Sequence, residues 1–154
     1  MSKQEPIKAM EIHGEKKKIV LAGNPNVGKS VFFNSLTGIY VDVSNFPGTT
    51  VDVSHGHFEE YAVIDTPGVY GISSFNDEEK VARDVILTAD LIVNVVDAVH
   101  LERDLFLSLQ VIETGIPTII VLNMMDDAKR EGLKIDLALL EEQLGVPVIP
   151  AVAI

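Results

Sequence analysis

No cysteine occurs among the 154 residues, so neither a disulfide nor a thiolate metal site can form, which suits a reducing compartment. Positive charge is scarce. Twelve Lys and Arg stand against 23 Asp and Glu, a net charge of −11. Nucleic acids and anionic membranes reward basic patches, so neither is expected as a partner. Any site for a polyanion must be locally positive inside an acidic protein. No apolar run approaches the roughly 18 to 20 residues needed to cross a bilayer, and Met1-Ser2-Lys3-Gln4-Glu5-Pro6 lacks the apolar core of a signal peptide. With 47% hydrophobic residues, the chain reads as one soluble globular domain with a real core.

Everything else is arranged around Gly23-Asn24-Pro25-Asn26-Val27-Gly28-Lys29-Ser30. This stretch follows the apolar run Ile19-Val20-Leu21-Ala22 and precedes a helical pattern, the spacing and context of a phosphate-cradling P-loop. Such a loop wraps backbone N–H groups around a β-phosphate and aims a helix N-terminus at it. Gly23 and Gly28 allow angles and approaches that a Cβ blocks, Lys29 places a charge between β- and γ-phosphates, and Ser30 offers a hydroxyl to Mg²⁺. Asn24, Pro25, Asn26, Val27, Gly28, Lys29, Ser30 and Val31 are therefore candidate nucleotide contacts.

Residues 1–15 offer only Ile7, Met10 and Ile12 for burial and read as a poorly ordered arm, leaving 16–154 as the domain. A strand over Lys17–Ala22 leads to a helix over Ser30–Thr37 that stops at Gly38. Residues 39–50 carry turn formers without periodicity and read as a long, mobile loop. Val51–Phe58 reads as an edge strand joined by a tight turn at Glu59-Glu60 to Tyr61–Ile64. Asn76 with Glu79 resembles a capping box, after which Val81, Ala82, Val85, Ile86 and Ala89 share a helical face. Strands over 91–96 and 118–122 flank a helix whose apolar stripe is Leu101, Leu105, Leu109 and Ile112. Leu137, Leu140 and Leu144 mark a short helix before a last strand starting at Val148-Ile149. This alternation implies a mostly parallel, six-stranded α/β sheet covered on both faces, with one antiparallel edge strand. A further helix after Ile154 is expected and missing, so the domain reads as truncated.

In such a sheet the ligand lies beyond the carboxyl ends of the strands. There Asp65-Thr66-Pro67-Gly68 offers a carboxylate able to hold Mg²⁺ and, at Gly68, an N–H for a γ-phosphate. Phe46-Pro47-Gly48-Thr49-Thr50 lies in the long loop, where the Thr50 hydroxyl can complete the Mg²⁺ shell once a γ-phosphate is present. Asn123-Met124-Met125-Asp126 follows a buried strand: a carboxylate at Asp126 accepts the N1 and N2 protons of guanine, a donor pair adenine lacks. That favours GTP over ATP. His55 and His57, without a carboxylate nearby, make a poor Fe²⁺ site and read as solvent-facing.

With these four loops, the chain resembles the translation-factor-like P-loop GTPases, of Ras-like three-layer fold, and more narrowly the cytosolic G domain of the FeoB ferrous iron transport family. Phe33-Asn34-Ser35-Leu36-Thr37-Gly38, Val81-Ala82-Arg83-Asp84, Asn94-Val95-Val96-Asp97-Ala98 and Leu101-Glu102-Arg103-Asp104-Leu105 carry it along with the P-loop and Asn123-Met124-Met125-Asp126. The resemblance implies a GTPase at the cytoplasmic face of the membrane that binds GTP or GDP with Mg²⁺, tethered to a membrane-embedded transporter portion of the same polypeptide and able to form a homo-oligomer. It implies K⁺ held by Asn26 with backbone carbonyls near Ser44 and Phe46, and Lys29, Asn26, Thr50 and Gly68 as catalytic residues. Val69, after Asp65-Thr66-Pro67-Gly68, cannot orient water as glutamine does, so slow unaided hydrolysis is expected. The guanine-backing loop of the family usually carries Ser-Ala, whereas Ala151-Val152 has valine at the serine position, which weakens that contact. Two other functions stand beside this one: a GTPase of ribosome assembly or tRNA modification, and a scaffold that binds nucleotide weakly.

Overall fold

Apolar strands and amphipathic helices in alternation bury their faces by stacking helices on both sides of one sheet. The computed structural model describes residues 16–38, 41–73 and 75–152. The arm expected at 1–15 lies outside the described residues. β1 (Lys18–Gly23) leads into α1 (Lys29–Thr37), followed by β2 (Asp42–Asn45), β3 (Asp52–Phe58) and β4 (Tyr61–Asp65). Then come α2 (Asp77–Ile86), β5 (Leu91–Asp97), a 3-10 turn at Ala98–His100 and α3 (Leu101–Glu113). β6 (Thr118–Asn123), α4 (Met125–Arg130), α5 (Leu137–Leu144) and β7 (Val148–Pro150) complete the order. Among the described residues no helix is long and apolar enough to cross a membrane.

The sheet runs β2-β3-β4-β1-β5-β6-β7; β4 to β7 are mutually parallel through β1, while β3 is antiparallel to β4 and β2. Alternation along β1 divides the core. Val20 and Ala22 join Ile64, Ile92, Val85 and Leu107 beneath α2 and α3, and Ile19 and Leu21 join Phe33, Val63 and Val93 beneath α1. At the other edge, Val96, Ile120, Leu122 and Val148 seat α4 and α5 through Ala128, Leu137, Leu140 and Leu144. The expected cap of α2 forms: Asn76 Oδ1 accepts the Glu79 N–H at 2.8 Å.

Four expectations need correction. Among the described residues the sheet has seven strands, not six, because part of the 39–50 segment is β2, and so β2, not β3, is the edge. All four β2 side chains are exposed, so no apolar alternation marks it; pairing from Asp42↔His55 to Asn45↔Asp52 makes it a strand. The six-residue helix α4, begun after the left-handed Met124, is too short to show a period. α3 is rotated from its expected stripe. Asp104, Leu107, Ser108 and Val111 are buried, whereas Leu109 is 53% exposed.

The fourth correction is His55, which is 2% exposed rather than solvent-facing; His57 is exposed as expected. β2 covers it, with Ser44 Oγ 3.2 Å from its Nε2 and Asp42 as its cross-strand partner. Burial lowers the His55 pKa, and the Asp42 carboxylate partly opposes this. Below about pH 6.5 the unfolded chain takes up a proton that the folded chain resists, so stability present above that pH is lost as pH falls. The melting temperature of His55→Gln is expected to fall less between pH 7.5 and 5.5 than that of the wild type, checked by circular dichroism.

Candidate functional site

The turn between β1 and α1 has the backbone of an anion cradle. Asn26 and Gly28 take left-handed angles, φ 65° and 86°, which turn N–H groups inward, and Gly28 precedes α1 without a side-chain cap. A cavity of about 430 Å³ opens there, lined by Asn24, Pro25, Asn26, Gly28, Lys29, Ser30, Val31 and Gly68. Val27, between them in sequence, points into the core and is fully buried. Gly68 must be glycine for packing reasons: a Cβ there would lie 2.9 Å from Pro25 Cα, so the loop after β4 rests directly on the cradle. The Val69 N–H donates to Gly23 O at 3.0 Å and closes the same contact.

Lys29, its side chain 9% exposed, donates from Nζ to Asp65 Oδ1 and to the Thr66 carbonyl oxygen. Burial raises the Asp65 pKa, and the Lys29 ammonium opposes the rise by its charge and its hydrogen bond. The residue types expected to meet phosphate and Mg²⁺ thus neutralise each other at the cavity wall. An anion with a divalent cation can take both partners without creating an unpaired buried charge.

The remaining candidates fall in two groups away from the cavity lining. Phe46 is in the core, 4% exposed, and Thr49 closes the turn back on it, its N–H and Oγ1 donating to Phe46 O. Gly48 (φ 80°) sits in that turn and Thr50 is exposed beyond it, so this segment is folded on itself rather than over Ser30. On the other side, Asn123 Nδ2 donates to Val27 O at 2.9 Å, and a Cβ on Gly28 would lie 2.4 Å from that nitrogen. Asn123 therefore binds the loop after β6 to the cradle. Met124 brings its Cε within 3.9 Å of the same Gly28 position, and Ala151 O accepts the Met125 N–H at 3.3 Å. Asp126 is exposed, 3.8 Å from Arg130, and Val152 is 52% exposed.

Sequence reasoning missed the polar residues behind the cradle. Asn94 Nδ2 donates to Ala22 O at 3.2 Å while its Oδ1 accepts from Ser108, and Asp104 accepts from Asn24. An asparagine inside Leu91-Ile92-Val93-Asn94-Val95-Val96, and two polar residues spaced i, i+4 on α3, were the signals.

A mostly parallel sheet with an uncapped helix and a glycine turn at its strand tips defines a P-loop nucleotide-binding G domain. The model of the family described as Ferrous iron transport protein B matches residues 17–154, and the chain belongs to that family, FeoB, as its N-terminal G domain. The Fe(2+) transporter FeoB of Shigella flexneri and that of Escherichia coli (strain K12) are each 42% identical, over 90% of this chain. The chain spans 19% of the length of these relatives. The crystal structure of a point mutant of S. thermophilus NFeoB bound to mGDP is similar at TM-score 0.87 and 46% identity, covering 90% of this chain and 55% of that one. The FeoB G-domain from Methanococcus jannaschii is similar at TM-score 0.75 and 42% identity, covering 90% of this chain and 86% of the other.

Proposed function

We propose that this domain binds GTP and GDP and hydrolyses GTP slowly, as the switch of a ferrous iron transporter whose membrane portion belongs to the same polypeptide. The observation that carries this reading is the cradle at residues 24–31 with Asn123 hooked onto it, which joins a phosphate site to a loop bearing a guanine-type carboxylate, Asp126. Relatives of the same fold are GDP-bound, among them a second point mutant of S. thermophilus NFeoB. In this reading the domain works at the cytoplasmic face, with no nucleic-acid partner, and can self-associate.

Lys29 leaves Asp65 to sit against the β- and γ-phosphates, and the Gly68 N–H meets the γ-phosphate. Ser30, Asp65 and Thr50 hold Mg²⁺, and Asn26, with carbonyls near Ser44 and Phe46, holds K⁺. When bound, the two cations supply positive charge against the phosphate oxygens, where charge builds in the transition state. Thr50 and Phe46 reach these roles only if the 46–51 turn opens, which makes that turn the switch. Val69 is buried and carries no polar group to orient water, so turnover without a stimulating cation is on the order of 10⁻⁴ to 10⁻³ s⁻¹.

GTP hydrolysis measured in KCl and in NaCl tests the reading. Turnover in KCl is expected to exceed that in NaCl by about tenfold or more, because a cation beside the β- and γ-phosphates opposes the charge that builds there in the transition state, and Asn26→Ala is expected to erase the difference. No turnover in either salt leaves only the nucleotide-binding scaffold.

A further inference from the structure

The second residue of the cradle is held from outside it. Asn24 is 2% exposed, and its Nδ2 donates to Asp104 Oδ1 at 2.9 Å. Asp104 stands in the first turn of α3, is 1% exposed, and accepts the Asp97 N–H on Oδ2 at 2.9 Å. A carboxylate only accepts, so the Asn24 amide must turn its N–H toward it. Asn24 Oδ1 is then left buried without a partner, an orientation tolerated because the bond to Asp104 is charge-assisted.

A buried carboxylate one side chain away from a phosphate cradle has an electrostatic cost. Its field opposes the anion unless a cation cancels it, and within the protein such a field is weakly screened. Arg103 is that cation: its Nε donates to Asp104 Oδ1 at 2.9 Å, and its guanidinium lies 5.9 Å over the Tyr70 ring. Tyr70 belongs to the loop that follows Gly68, so the arginine is braced by the segment that rests on Pro25.

We propose that Asp104 and Arg103 are positioning residues of the phosphate cradle: Asp104 fixes Asn24, and Arg103 cancels the charge that Asp104 brings beside the phosphates. Neither lines the cavity; Asp104 acts through Asn24 and Arg103 through its charge. The inference rests on the phosphate-binding reading of the cradle and names what holds that cradle in shape.

Fluorescence titration with N-methylanthraniloyl-GDP and -GTP, on the wild type, Arg103→Met, Asp104→Asn and the double variant, tests it. Arg103 is 45% exposed on its side chain, so methionine is compatible with folding. Arg103→Met is expected to weaken both nucleotides by about three- to tenfold at low salt and by less at high salt, because the half-exposed guanidinium acts on the phosphates partly through screening solvent. In the Asp104→Asn background the same substitution is expected to cost about the same factor, because Coulomb terms add, so the double variant, again without net charge beside the cradle, binds both nucleotides more tightly than Arg103→Met alone. Wild-type affinity in Arg103→Met overturns the proposal, even if its nucleotide-free melting temperature falls, since that pattern describes a helix-start contact. A double variant that binds no more tightly than Arg103→Met also overturns it. A wild type that binds neither nucleotide removes the cradle reading as well, and is seen before any variant is compared.

Discussion

Replacing Lys29 with methionine is expected to lower the affinity for GDP and GTP by about 10²- to 10⁴-fold, the loss of two charge-assisted bonds to phosphate worth about 1.5 to 3 kcal/mol each. Methionine keeps the apolar stem, so the effect belongs to the ammonium. A second consequence follows from its partner. In the wild type burial raises the Asp65 pKa and Lys29 holds it back, by charge and by hydrogen bond. With the ammonium gone only burial acts, and the carboxyl rises further. Calorimetry checks the loss of affinity, and carboxyl titration by NMR checks the Asp65 shift. The sign for stability is also set: a carboxyl with a raised folded pKa stabilises below its unfolded value, near 3.8, and that contribution is lost as pH rises through the folded value. The nucleotide-free variant therefore loses stability over a wider range of rising pH than the wild type. Unchanged GDP affinity would remove Lys29 from the site.

The parts of the fold that were legible in the sequence are those whose pattern is local. β1, the glycine turn and α1 could be placed because an apolar run, fixed spacing and a helix start occur together. Asn76 and Glu79 marked α2 for the same reason. β2 was not legible, since a four-residue strand with every side chain exposed owes its existence to β3, seven to thirteen residues away in its register pairs. His55 was misread with it: its burial depends on that neighbour. On α3, leucines at 101, 105 and 109 suggested the inward face, yet the helix turns Asp104 and Ser108 inward because Asn24 and Asn94 are buried and need partners. Polar satisfaction outweighed the apolar stripe. Of the candidate site, the cradle and Gly68 come together in space, while Phe46, Gly48, Thr49 and Thr50 are held apart by a turn that bonds to itself. No sequence pattern distinguishes those two arrangements, because both use the same residues.

The second large effect is expected at Asp126. Guanine presents N1–H and N2–H side by side, and a carboxylate accepts both through charge-assisted hydrogen bonds worth about 1.5 to 3 kcal/mol each. Asp126→Asn sets an amide NH₂ against a donor and is expected to weaken GDP binding by about 10² to 10⁴ on that arithmetic. Xanthine carries a carbonyl at the position of the guanine amino group and accepts from the same amide. The variant is therefore expected to prefer xanthosine diphosphate, reversing the wild-type order, as competition titration will show. Little else changes with the substitution. Asp126 has 47% of its side chain exposed and Arg130 3.8 Å away, and an exposed pair of that kind contributes about 0 to 1 kcal/mol. Asn123 is the useful contrast, because it is 1% exposed and donates to Val27 O. Its removal is expected to loosen the cradle and to weaken every nucleoside diphosphate alike, whereas Asp126→Asn should discriminate between bases. Should Asp126→Asn bind GDP as the wild type does, the carboxylate reads no base, and the choice of GTP over ATP loses its physical ground.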